Sequence, residues 1–181
     1  MQLGLTVLRV ALGATFFAHG AQKLFGWFGG PGLEGTAKGF DSMGMKPGKR
    51  NAVLAAGSET GAGALFALGL ATPAAAAGAV GVMGEAIRTV HGEKGFFNTE
   101  GGYEFNLVLM AAAVTIADLG PGDLSLDEAL GLKLHGPLWA LAALGAGLAG
   151  PRLLERAAPA PEPEPERFER EPEPEQVSAA A

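Results

Sequence analysis

A chain of 181 residues is long enough for one domain and too short to favour two. Its formal charge is −6, but seven Glu and two Arg between Pro159 and Gln176 supply −5 of that, so the acidity belongs to a tail and not to a surface. No basic stripe is present to attract phosphates, which argues against nucleic-acid binding, and the lack of cysteine excludes disulfides, thiolate metal sites and thiol redox chemistry within the chain.

A helix needs about 20 mostly apolar residues to cross the hydrocarbon core, and runs of that length recur between short polar connections. They predict spans at Leu3–Leu24, Asn51–Leu70, Pro73–Val90 and Tyr103–Leu119. A fifth, Leu134–Leu154, has an uninterrupted core of only Pro137–Gly150, so it either crosses or lies along the interface; crossing is the favoured reading. A soluble Ala-rich bundle is the competing fold. It fits poorly, because Ala74–Met83 offers water no hydrophilic face and so small a chain lacks the mass to bury four such helices. The first run could instead be a secretory signal, but it is read as a retained span: it has no basic leader, and His19, Gln22 and Lys23 stand where a cleavage site of small residues is expected.

The expected fold is therefore an all-α membrane protein, with four transmembrane helices and a fifth within residues 1–158. Residues 159–181 form a disordered Pro/Glu-rich tail, since repeated Pro-Glu cannot build a core. The most basic connection follows the first span, with Lys38, Lys46, Lys49 and Arg50, and should face the cytoplasm. Five spans then put the C-terminus inside, four outside.

Charges within spans cost about 2.5 to 3.5 kcal/mol each at mid-membrane and so demand partners. On the first helix Arg9, Gly13, Phe16, Gly20 and Lys23 share one stripe, which should face other helices. Counting about 1.5 Å per residue, Glu59 and Glu85 lie about 12 and 9 Å from the first-loop side of the membrane. His19, Lys23, Arg88, His91 and Glu104 fall near that same side, whereas Arg9 lies at the other end near Asp118. Two readings of His19, Lys23, Glu59, Glu85, Arg88 and Glu104 stay open: ion pairs that lock the bundle, or a polar pocket for a quinone, a proton or a polar small molecule. An unpaired Glu59 would be costly at its depth, and Lys23 or Arg88 is the expected partner. Arg9 and Asp118 form a candidate pair at the opposite end.

Gly57-x-x-x-Gly61 is a small-residue spacing read as core packing, and Gly26–Gly35 is read as a flexible turn beside the interfacial aromatics Phe25, Trp27 and Phe28. His19, His91 and His135 lack metal-ligand spacing, so neither a metal site nor a catalytic residue is assigned.

Several segments, in order, resemble the DoxX family of small bacterial membrane proteins. They are Leu8-Arg9 to Leu12-Gly13, His19-Gly20-Ala21-Gln22-Lys23-Leu24-Phe25, Glu59 with Gly61, and Leu68-Gly69-Leu70-Ala71-Thr72. Further on come Gly95-Phe96-Phe97, Gly101-Gly102-Tyr103-Glu104, and Gly120-Pro121-Gly122 with Leu124-Ser125-Leu126-Asp127. The resemblance covers residues 3–127 and implies a four-helix bundle in the bacterial plasma (inner) membrane. It is distantly similar to the small DoxD-type subunit of thiosulfate:quinone oxidoreductase and implies association with redox-complex subunits. Three functions follow: a non-catalytic subunit or scaffold of a redox complex, an oxidoreductase subunit with a quinone site near His19 and Glu59, or a small-solute or proton transporter. The last is disfavoured because no inverted repeat with broken helices is visible.

Overall fold

The computed structural model describes residues 2–157, so the expectation for the tail at 159–181 lies outside the described residues. The described residues are helical without strands: α1 (Leu3–Phe25), α2 (Gly32–Ser42), α3 (Gly48–Leu68), α4 (Thr72–Ala86), α5 (Glu104–Leu119), α6 (Leu126–Ala129) and α7 (Pro137–Arg156). Glycines in left-handed conformation close α1 at Gly26 and α3 at Gly69, where a side chain would be strained. Proline opens the first turns of α4 and α7, where its missing N–H costs nothing. Beyond Ala86 the helical path of α4 continues as a π turn, Ile87–His91.

Five long helices form the bundle, with α4 touching α3, α5 and α7 while α1 lies against α3. The stripe Arg9, Gly13, Phe16 and Gly20 is the buried face of α1. Two glycines set its approach to α3: a Cβ on Gly13 would stand 2.5 Å from the Ala67 nitrogen, and one on Gly63 would stand 2.7 Å from the Gly13 carbonyl oxygen. α7 runs the length of the bundle. Its first turn meets the end of α5 through Gly136 N–H to the Ala117 carbonyl at 3.2 Å, and its last turn meets the start of α3 through Arg50 Nη2 to the Leu154 carbonyl at 2.7 Å.

Polarity is arranged inside out. The buried set is mostly alanine and glycine together with Arg9, Glu59, Asn106 and Asp127, while Leu138, Leu141 and Val108 are 78%, 67% and 63% exposed. Water would penalise so much outward apolar surface, whereas hydrocarbon does not.

Two expectations need correction and one is not confirmed. First, among the described residues α1 and α7 are the two helices long and apolar enough by length and composition to cross a membrane, so the expected count of four plus one is not confirmed on that measure. α4 and α5 have 15 and 16 residues, and α3 opens on Lys49 and Arg50. Second, Gly26–Gly35 is not a loose turn: a 3₁₀ turn, Trp27–Gly29, leads directly into α2. Thr36 of α2 donates to the Lys23 carbonyl at 3.3 Å, and Asp41 accepts the Gly48 N–H at 2.7 Å, so α2 is fastened to α1 and α3. Third, Gly57 and Gly61 face outward, and a Cβ on either meets nothing within 4 Å. Close packing uses Gly13, Gly20 and Gly63, because helix phase and not motif spacing decides which glycines meet a neighbour.

Candidate functional site

Glu59 is 2% exposed, and its two carboxylate oxygens both accept from Lys23 Nζ, the Oε2 contact at 2.6 Å. Gly20 makes this geometry possible, because its lack of a side chain lets α1 descend onto Ala56 and Thr60 one turn from the pair. Lys23 remains 29% exposed, so the pair is closed on the α3 side and open on the other. Such a pair gives the buried carboxylate a counter-charge instead of leaving it orphaned. His19 lies one helical turn before Lys23, exposed, and makes no hydrogen bond or ion pair among the described residues.

The other four members of the predicted cluster occupy the same end of the bundle but separate groups. Glu85 accepts from Arg88 Nε at 2.8 Å and faces Arg152 Nε at 3.4 Å, while Arg88 also faces Glu155 at 3.6 Å, so this network ties α4 to α7. His91 Nδ1 lies 2.6 Å from the Gly101 carbonyl oxygen, and Glu104 Oε1 accepts the Asn98 N–H at 2.7 Å, which braces the connection between α4 and α5.

At the opposite end Arg9 and Asp118 are not joined. Arg9, 2% exposed, donates from Nη1 to the Phe66 and Ala67 carbonyls at 2.7 and 2.8 Å and from Nη2 to the Leu124 carbonyl at 2.6 Å. Those first two carbonyls lie in the last turn of α3, where the Phe66 carbonyl accepts only the capping Gly69 N–H from the main chain, at 3.0 Å, so a cation there adds donors to the helix end and meets the negative end of its dipole together. The nearby acid is Asp127, 1% exposed, which accepts from Ala71 N at 2.8 Å, Thr72 N at 3.1 Å and Thr72 Oγ1 at 2.7 Å at the start of α4. The turn between α3 and α4 is thus held by a cation on one helix end and an anion on the next. Ala71 sits there with φ of +46°, a left-handed backbone that its hydrogen bond to Asp127 retains. Sequence reasoning missed Asp127's role; the available signal was the Leu124–Asp127 run. Among the described residues no cluster of three or more acidic or histidine ligands stands ready for a metal ion.

An all-helical bundle with apolar side chains outward and charges paired within has the character of a membrane protein. The DoxX family model matches residues 4–92, just under half of the chain, so the protein carries a domain of that membrane-associated family. The matched stretch contains Arg9, His19, Lys23, Glu59, Glu85 and Arg88, while Glu104, Asp118 and Asp127 lie beyond it. Comparison with curated proteins and with solved structures returned no match.

Proposed function

We propose that the protein is a multi-pass component of a bacterial plasma membrane that serves as a non-catalytic subunit or scaffold of a redox complex. The observation that carries the membrane part is the inside-out arrangement: Leu138, Leu141 and Val108 face outward while Arg9, Glu59 and Asp127 are buried. Length along the bundle supports a fifth crossing, because α7 joins the end of α5 to the start of α3. The continuous helical path from Thr72 through the π turn to His91 supports a crossing by α4 despite its short regular portion. Aromatic residues mark both ends, with Trp27 beyond α1 and Trp139 at the start of α7, as expected of side chains at the headgroup level. The redox association draws on the DoxX domain and on the similarity to the quinone-linked subunit noted above.

A second reading, a quinone-binding oxidoreductase subunit, is favoured by one feature. The His19 imidazole has no partner among the described residues and sits one turn from the Lys23–Glu59 pair, so it is free to donate to a carbonyl. Purification from native membrane with identification of co-purifying polypeptides and quinone separates the two: partner subunits without quinone support the scaffold, and bound quinone supports the second reading. A chain recovered alone and quinone-free contradicts both.

A further inference from the structure

A groove of about 390 Å³ lies at the first-loop end of the bundle, between the 96–98 turn and the first turns of α5, lined by Phe96, Asn98, Glu104, Phe105, Leu107 and Val108. Its walls are set by a tight connection: Tyr103 N–H donates to the Gly95 carbonyl at 3.1 Å and Glu104 N–H to the Phe96 carbonyl at 2.9 Å. Phe96 is locked edge-on against Tyr103 with ring centroids 5.7 Å apart. The one charged side chain in the lining is Glu104. Its Oε1 is held by the Asn98 N–H, while Oε2 has no hydrogen bond and the carboxylate no ion pair among the described residues. A half-buried carboxylate with one anchored and one open oxygen favours a cationic donor.

The remainder of the groove sets what that cation is attached to. Phe105 and Val108, 48% and 63% exposed, continue the groove along the outward face of α5, which hydrocarbon and not water should cover. Lys94 folds back over the same connection, its Nζ 3.7 Å from where a Cβ on Gly101 would stand, and brings a positive charge to that connection. An ammonium, a neighbouring phosphate and an acyl chain match Glu104, Lys94 and the α5 face in turn.

We propose that this groove binds the ethanolamine headgroup of a membrane phospholipid, its ammonium on Glu104 Oε2, its phosphate toward Lys94 and one acyl chain along Phe105 and Val108. The inference rests on the membrane reading above. A free amine would leave the apolar wall uncovered, and an anionic headgroup would face the carboxylate.

The test uses the full chain in detergent, titrated by native mass spectrometry with phosphatidylethanolamine and phosphatidylglycerol of identical acyl chains. Ethanolamine lipid should form adducts at about tenfold lower concentration, the factor one charge-assisted hydrogen bond supplies. Glu104→Gln should abolish that preference without weakening phosphatidylglycerol, and Glu100→Gln should change nothing. Equal binding of both lipids by the native chain, or a preference that survives Glu104→Gln, would overturn the proposal. Should Glu104→Gln fail to fold, Val108→Trp decides by filling the groove: loss of the preference supports the site and retention contradicts it. Carbonate extraction of the membranes separates this from the broader reading. A chain released to the soluble fraction refutes the membrane assignment, whereas a retained chain without lipid preference refutes only the groove.

Discussion

Lys23 near the end of α1 and Glu59 in the middle of α3 form a bidentate ion pair across the helix interface that Gly20 brings together. Removing the carboxylate leaves a half-buried ammonium with no counter-charge. Glu59→Gln should therefore cost about 2 kcal/mol, below the full price of breaking a buried pair because Lys23 is still partly solvated. Glu100→Gln, in an exposed turn, should be neutral. Thermal unfolding in detergent compares the two, and equal shifts would refute a stabilising pair.

The Arg9 guanidinium serves carbonyls from two separate segments through a planar fork, a task that a single ammonium cannot reproduce. Arg9→Leu should destabilise by about 3 kcal/mol, since three charge-assisted hydrogen bonds to main-chain carbonyls are lost. Arg9→Lys should recover less than half of that. Full rescue by lysine, measured by the same unfolding transition, would mean that charge alone matters at this position.

Glycine substitutions should divide by face. Gly13→Ala and Gly63→Ala each place a methyl group into the backbone of the opposing helix and should cost about 1–3 kcal/mol as α1 and α3 are forced apart. Gly57→Ala and Gly61→Ala meet open space and should leave stability unchanged or raise it by up to about 1 kcal/mol each through helix propensity. The reverse order would contradict the α1–α3 packing described here.

Much of this architecture was legible because hydrocarbon-length apolar runs and a 3.6-residue stripe are local signals. The buried face of α1 could be read from Arg9, Gly13, Phe16 and Gly20, and depth counting narrowed the partner of Glu59 to Lys23 or Arg88. What stayed hidden depends on groups that a side-chain inventory does not count. Arg9 bonds to main-chain carbonyls exposed by the ending of α3, so a search for an acidic partner pointed to Asp118. Asp127 caps a helix that begins 55 residues earlier, a relationship without local pattern. α2, rich in glycine and charge, carries little helical propensity of its own and is fixed by tertiary bonds from Thr36 and Asp41.

We propose that the long helices of the bundle all cross the membrane, with α7 as the fifth. Five crossings and a cytoplasmic basic first loop place the residue after Ala181 in the cytoplasm. Alkaline phosphatase, active only outside the cytoplasm, fused after Ala181 in the full chain measures this directly. The fusion should be silent while full-length protein accumulates in the membrane; strong phosphatase activity would put the C-terminus outside and contradict a fifth crossing.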